Sequence, residues 1–421
     1  MERQSGFLEI MKYRDFRLLW IGQLISIIGS QMRIVAVDWQ VYVIATGQGV
    51  NPALALGFIG LMRVIPMTIS ALFAGVAADR YDRRYVIVVT SFIALFASVI
   101  LAIAGSLENP ALWLVYAMVV VTAIANAFEM PARQALIPTL VPPDRLPQAM
   151  SAGIVSWQLG TVLGPSIAGI LIASVGVVPL YWVDAATYLA VVYAAISIRP
   201  PAKPTTTRPP VRLADALEGL KFVFKSKIIA STMVLDFFAT FFGAAMTLMP
   251  IFANDILGVG AQGYGFMRAA PAVGAFIAAL FLTSRKIRNQ GPVLLGAVAL
   301  FGIATSFFGA STWFPLTLVM LAITGMADTV SMVIRGTLRQ LMTPDELRGR
   351  MTAVNMVFVA GGPQLGEFVV GLTASIIGAP IAVIIGGIMC VGVVIGTAAK
   401  VPELRQLDTP ETYMLKSNPT G

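Results

Sequence analysis

Residues 75–84 read Gly75-Val76-Ala77-Ala78-Asp79-Arg80-Tyr81-Asp82-Arg83-Arg84. This charged stretch closes one long apolar block, 53 to 78, and precedes another, 85 to 105. About 20 apolar residues span a bilayer as a helix, so two such blocks joined by a few charges read as two spans and a connection at a membrane surface. Working outward, apolar blocks separated by turn signals predict spans at 17 to 45, 53 to 78, 85 to 105, 111 to 134, 148 to 174, 179 to 198, 228 to 254, 262 to 283, 292 to 310, 314 to 338, 348 to 376 and 379 to 399. The composition agrees. Of 421 residues 57% are hydrophobic and 12% charged, against roughly 25% charged in an ordinary soluble domain. A soluble enzyme, a disordered chain and a disulfide scaffold are excluded, and the expected fold class is an all-α polytopic membrane protein with twelve transmembrane helices.

Chemistry is narrowed by what is missing. The single cysteine, Cys390, forms no internal disulfide, and the absence of histidine removes the commonest metal ligand and general base. No metal site, no catalytic triad and no cofactor is expected. The formal charge of +8 would suit nucleic acid only if the basic residues clustered on a polar domain. They do not. With the N-terminus inside, every lysine and arginine except Arg33, Arg63 and Arg268 falls at inner helix ends, inner connections or the termini. Outer connections near 47–52, 107–110, 175–178, 258–261, 311–313 and 378–379 contain none. This positive-inside bias puts both termini in the cytosol of a multi-pass protein of the plasma (inner) membrane, with the lipid bilayer as a partner and no nucleic acid. No cleavable signal peptide is expected.

The Pro-rich polar stretch 200–215 divides the chain. The expected domains are residues 1–199, a six-helix bundle; 200–227, a cytosolic linker; 228–401, a second six-helix bundle; and 402–421, a polar tail. Residues 214–227 fit either a short interfacial helix or the start of span seven.

The halves repeat. A shift of 205 aligns Met62-Arg63-x-x-Pro66 with Met267-Arg268-x-x-Pro271. A shift of 202 aligns Thr122, Ala125, Asn126, Met130 and Arg133 with Thr324, Ala327, Asp328, Met332 and Arg335. An even number of spans per half lets two bundles insert in parallel, related by an axis along the membrane normal, with a cavity near the midplane.

Gly75-x-x-x-Asp79-Arg80-x-x-Arg83-Arg84, between spans two and three, resembles the G-x-x-x-D-R-x-x-R-R signature of the major facilitator superfamily. Arg14 to Trp20, Arg63-x-x-Pro66, Pro131 to Pro138 and Asp184 to Leu189 are similar to the subgroup containing the enterobactin exporter and macrolide efflux proteins. The resemblance covers essentially the whole chain. It implies two six-helix bundles of that superfamily's fold and a rocker-switch exporter of small amphipathic molecules, driven by the proton gradient.

Several residues then have a functional and a structural reading. Gly75, Asp79, Arg80, Arg83 and Arg84 form a conformational latch or a plain positive-inside cluster. Gly160, Gly164, Pro165 and Gly169 in span five resemble an antiporter motif, although Ala168 stands where a second glycine is expected; close helix packing and bending explain them equally. Ionisable groups in spans are functional candidates because hydrocarbon penalises them. These are Arg33 and Asp38 (one), Arg63 (two), Glu129 (four), Asp184 (six), Asp236 (seven), Arg268 (eight), Asp328 (ten) and Glu367 (eleven).

The resemblance puts helices one, four, seven and ten around the cavity, giving it Asp38, Glu129, Asp236 and Asp328. By depth, Asp236 and Asp328 are the first choices for a proton or substrate, and Arg63 and Arg268 for gating or charge balance. Arg33 and Asp38, about 140° apart around one helix, need partners on other helices. Arg133 lies at an inner helix end, so the family's usual arginine within span four is missing. The expected function is secondary export by proton antiport, with small molecules and protons as partners and a monomer as the working unit. Within transport the alternative is an importer or uncoupled facilitator; a membrane enzyme or receptor is the remote one.

Overall fold

The computed structural model describes residues 9–199, 221, 223–284, 288–344 and 347–408; within its helices, the side chains of 72, 76, 78, 79, 283, 284, 348–350, 352–354 and 356–360 are left out. The Asp79 side chain, linker residues 200–220 and tail residues 409–421 therefore lie outside the described residues. Among the described residues all regular structure is helical. The long helices are α1 (Arg14–Gly47), α2 (Pro52–Arg80), α3 (Arg83–Gly105), α4 (Leu112–Leu136), α5 (Leu146–Val175), α6 (Val178–Ser197), α7 (Lys227–Phe242), α8 (Gly260–Ser284), α9 (Gln290–Ala310), α10 (Phe314–Met342), α11 (Arg348–Ile377) and α12 (Ala379–Lys400). A short α13 (Pro402–Arg405) follows.

Among the described residues, eleven helices are long and apolar enough to cross a membrane. Helix α11, at the place of the expected eleventh span, is 30 residues long but is not one of them. The span expected at 228–254 falls within the membrane-length segment Lys227–Ile256, whose helical path is irregular. Helix α7 ends at Phe242, and the chain continues through a 3-10 turn (Ala245–Leu248), one α turn (Met249–Ile251) and a π turn (Phe252–Ile256). Two residues explain the break. Pro250 brings no N–H to the helix ladder, and a Cβ at Gly243 would collide with the Phe301 ring and the Ala239 carbonyl.

The helix ends follow local chemistry. Asn51 caps α2, its side-chain oxygen accepting from Ala53 N at 3.0 Å and Leu54 N at 3.2 Å, with Pro52 at the first helical position. Gly176 (φ 78°) and Gly378 (φ 87°) end α5 and α11, 202 residues apart in sequence. Positive φ at both ends reproduces the sequence repeat in the backbone.

The chain divides into two compact units. Among the described residues the first holds 9–55, 61–199 and 259–269, and the second holds 56–60, 221, 223–258, 270–284, 288–344 and 347–408. Each unit repeats one packing plan. In the first, α1 packs on α5 and α6, and α3 on α4 and α6; in the second, α7 packs on α11 and α12, and α9 on α10 and α12. Lipid gives apolar helices no reason to prefer each other over acyl chains, so close backbone approach supplies the association. Gly160 and Gly164 of α5 admit Ile27 and Gln31 of α1, and Gly362 and Gly366 of α11 admit Phe237 and Phe241 of α7. Apolar residues before α1 and after α12 pack into their own units. Ile10 is buried with Phe16, Ile87 and Leu136, and Leu404 and Leu407 are buried with Ile228, Leu294 and Leu338.

Candidate functional site

The second unit gathers charge between α7 and α10. Asp236 is buried on α7, in the helix's middle turns. On α10, Asp328, Ser331 and Arg335 follow at intervals of three and four, which places them on one face. Arg335, 3% exposed, joins two acids: its Nη1 lies 2.8 Å from Asp236 Oδ1 and its Nη2 lies 3.4 Å from Asp328 Oδ1. Arg339 Nη1 approaches Asp236 Oδ2 at 3.9 Å and donates to Asn355 Oδ1 of α11. The two carboxylates are held unequally. The Asp236 side chain is 10% exposed and has the shorter contact, whereas the Asp328 side chain is 49% exposed and has the longer one. A small, mainly apolar recess beside Asp328 is lined by Ala239, Thr240, Val298, Phe301, Ala327, Asp328, Ser331 and Arg335.

Sequence reading singled out Asp236 and Asp328 but not Arg335 or Ser331. It left Arg335 among the basic residues of inner helix ends. The signal that finds it is the repeat itself, because Arg335 aligns with Arg133 and both lie within apolar helices.

Helix α4 is the first unit's equivalent of α10. At a shift of 202, Asn126 takes the place of Asp328, Glu129 that of Ser331 and Arg133 that of Arg335. Arg133 donates to Glu129 four residues earlier on its own helix. The pair is partly buried, with Glu129 at 4% exposure.

Deeper in the first unit, Arg33 of α1 reaches α6. Its Nε donates to Asp184 Oδ2 at 2.8 Å and its Nη1 to Thr122 Oγ1 of α4 at 3.2 Å, while Ser98 Oγ of α3 donates to the same Asp184 oxygen at 2.6 Å. Four helices therefore meet at one buried ion pair. Gly29 opens the space, since a Cβ there would clash with the Thr187 side chain and crowd Asp184 Oδ1 at 3.1 Å. Breaking such a pair leaves an uncompensated buried charge.

Asp38, five residues from Arg33, has separate partners. Arg63 Nη2 of α2 lies 3.3 Å from Asp38 Oδ1, Arg268 Nη2 of α8 lies 3.6 Å from Oδ2, and the fully buried Tyr264 hydroxyl donates to Oδ2 at 3.4 Å. All four residues belong to the first unit. The repeat-related arginines thus meet on one acid. Glu367 lies against α2, where a Cβ on Gly60 would come 2.8 Å from its own Cβ.

The loop that opened the sequence reading is tied down within the first unit. Arg83 Nη1 donates to the Ala135 carbonyl at 2.8 Å and Arg84 Nη1 to the Ile198 carbonyl at 2.9 Å. Arg80 is exposed, and a Cβ on Gly75 would meet nothing within 4 Å. The carboxylate paired with Arg84 is Asp82, at 2.7 Å, a residue outside the sequence motif's acid position. That hydrogen bond holds the Asp82 carboxyl below the usual carboxylate range, against a smaller opposing effect of burial. In α5, Gly169 crosses Gly265 of α8 so closely that a Cβ on Gly169 would overlap it, and Pro165 is buried within the helix.

Comparison with known proteins assigns these features to a lineage. The family described as transmembrane secretion effector matches residues 6–418. The enterobactin exporter EntS of Escherichia coli O1:K1 / APEC is 29% identical over 383 residues, covering 88% of this chain and 88% of that protein. The same exporter from Escherichia coli O157:H7 (strain EC4115 / EHEC) matches at the same identity and coverage. Among solved structures, an inward-facing, unoccupied bacterial homolog of the human lysosomal transporter Spinster superposes with a TM-score of 0.67 at 16% identity, covering 94% of this chain and 96% of that one. A D-xylose-proton symporter gives a TM-score of 0.69 at 14% identity, covering 91% and 97%. At such identities these structures speak for the fold alone.

Proposed function

This chain belongs to the transmembrane secretion effector family, within the major facilitator superfamily, and from that premise we propose that it exports small amphipathic molecules by proton antiport. It is a multi-span transporter of the inner membrane. The direction of transport rests on its likeness to the enterobactin exporter, and a siderophore or drug-like compound is the substrate class that likeness supports. Both termini face the cytosol in this reading, as the placement of lysine and arginine requires.

The observation that carries the coupling is the unequal grip of Arg335 on its two acids. Asp236 is the anchor, buried and held at 2.8 Å; Asp328 is the carrier, half-exposed and held at 3.4 Å. A proton binding Asp328 removes the weaker contact and leaves Arg335 wholly to Asp236. Release of that proton restores the bridge across α7 and α10. Such a two-position contact is the kind of element that biases one bundle conformation over another.

The test is transport in proteoliposomes under an imposed pH gradient, using a panel of fluorescent dyes, macrolides and siderophores. Asp328→Asn is expected to retain binding and counterflow but to lose acceleration by the gradient. Gradient-driven transport that survives in Asp328→Asn and in Asp236→Asn places the proton elsewhere.

A further inference from the structure

We propose that the first unit carries a substrate-binding face, built on Trp157 of α5 and Asn126 of α4, which receives an uncharged planar aromatic group bearing a hydrogen-bond-accepting oxygen. This rests on the reading of the chain as an exporter of amphipathic molecules, and it names the part of the molecule that the first unit takes.

Tryptophan in a spanning helix belongs at the membrane interface, where its apolar ring and polar N–H are both accommodated. Trp113, Trp182 and Trp313 follow that rule, each exposed near the start of α4, α6 or α10. Trp20 donates to the Ala152 carbonyl at 2.9 Å, and Trp39 stacks on Tyr264. Trp157 does neither. It is 56% exposed and lies about 16 Å along α5 from Leu146, close to the middle of a hydrocarbon core about 30 Å thick. Asn126 is also exposed, about 15 Å from the end of α4 at Leu136. Among the described residues neither side chain has a hydrogen-bond partner. Acyl chains penalise an amide or an indole N–H left that way.

The pattern of exposure along α5 tells lipid from opening. Val155, Leu159, Leu163, Ile167 and Ile170 make one stripe that is apolar and exposed over most of the helix, as a lipid-facing stripe is. Trp157 stands about 160° around the helix from Val155 and Leu159. Its own stripe holds Met150 and Ile154, both exposed, but continues outward into buried Gly164 and Ala168. Helix α4 behaves likewise: Asn126, Met130 and Gln134 are exposed, and the stripe continues outward into buried Ala123 and Val119. Exposure confined to the inner half of both helices marks a face that opens toward the inner side. The two stripes flank α1, which accepts α5 at Trp20 and α4 at Arg33.

The chemistry of the face selects its ligand. Between Leu146 and Val175 α5 has no charged residue. On α4 the nearest ionisable groups, Glu129 and Arg133, pair with each other. The face therefore carries no net charge. Trp157 offers a ring to stack on, Asn126 offers an amide donor, and Met130 and Met150 offer side chains that adapt to different outlines. The repeat sharpens the contrast, because Asn126 corresponds to Asp328 and Met130 to the equally exposed Met332. An amide that binds stands where the second unit has a carboxylate that titrates.

Two measurements on the purified full-length protein in liposomes decide the matter. The first asks what surrounds Trp157. The emission lost in Trp157→Phe relative to the native protein is expected to be quenched by acrylamide from the water and spared by lipids brominated along their acyl chains. The reverse pattern overturns the face. The second uses 7-methoxycoumarin, which is planar, uncharged and carbonyl-bearing, beside 2-methoxynaphthalene, which lacks the carbonyl. Binding is read by equilibrium dialysis against protein-free liposomes. Coumarin affinity is expected to fall about tenfold in Trp157→Ala, the size of one aromatic contact, and to return in Trp157→Phe. Asn126→Ala is expected to weaken the coumarin several-fold, as one lost hydrogen bond does, and to leave the naphthalene unchanged. Both side chains are exposed, so thermal stability should hold in every variant. Equal effects on the two probes, or no binding above the lipid background, overturn the proposal. If the coumarin binds as expected but no compound of the transport panel moves, the face stands and the export reading falls. If Trp157→Ala and Asn126→Ala export the panel at native rates, the export reading stands and the face falls.

Discussion

Helices α4 and α10 occupy equivalent places in two repeats, yet their arginines behave differently. Arg133 is paired on its own helix with Glu129 four residues earlier. Arg335 has Ser331 in that place and reaches instead to Asp236 on α7 and to Asp328. An arginine satisfied by its own helix stabilises that helix. One satisfied by a neighbouring helix makes the two helices depend on a shared charge, and any proton landing on that charge changes both. A single position, glutamate in one half and serine in the other, therefore separates an arginine paired on its own helix from one shared between two helices.

The strongest way to break this comparison is to make the second half like the first. Ser331→Glu gives Arg335 an acid four residues earlier, as Glu129 gives Arg133. Arg335 is expected to leave Asp236, and gradient-driven transport in proteoliposomes is expected to fall to its rate without a gradient. Native gradient dependence in Ser331→Glu would falsify the link between that serine and coupling.

A change of similar size in stability, with a different signature, is expected in the first unit. Asp184→Ala strands Arg33 among four helices and is expected to cost about 3–5 kcal/mol, the usual result of removing one partner of a buried pair. Thermal unfolding of the purified protein should fall by many degrees. The folded remainder should transport normally, because Arg33 and Asp184 make no contact with the Asp236, Asp328 and Arg335 group. If Asp184→Ala unfolds at the native temperature and loses coupling instead, the Arg33 pair is not structural.

How far the sequence carried the reading depended on range. The all-helical membrane fold, the repeat and the acids inside helices were legible because each is a local property: a run of apolar residues, a fixed shift, a charge where charge is costly. The break after Phe242 was not, although Gly243 and Pro250 both stood in the predicted span. The place of the break depends on Phe301 packing against Gly243 from another helix. Arg335 was read by its distance from a helix end, and depth along one helix says nothing about the aspartate across from it. Asp82 escaped because the motif draws the eye to Asp79, while capping geometry picks the residue immediately before α3.

That cap supplies the smallest and sharpest contrast between the halves. Asp82 caps α3 from within its own loop, accepting from Arg84 N at 3.0 Å. The corresponding start of α9 is capped from the far end of the chain, where Asn289 N donates to Asp408 Oδ1 and Gln290 N to the Asp408 carbonyl, both at 2.9 Å. Removing either side chain, in Asp82→Ala or Asp408→Ala, is expected to cost about 0.5–1 kcal/mol, as N-cap losses do. For Asp82 the sign of the pH dependence follows from its lowered carboxyl. The ionised group's contribution is fully present above the ordinary carboxylate range and is lost as pH falls through its folded value. The gap in thermal stability between native protein and Asp82→Ala should therefore be widest near neutral pH and close in acid. A gap that grows on acidification would mean that Asp82 acts through something other than its charge. Truncation before Pro402 adds a second arm: it removes the Asp408 cap together with buried Leu404 and Leu407, so it should destabilise the second unit far more than Asp408→Ala does, while α3, capped within its own loop, stays as it was.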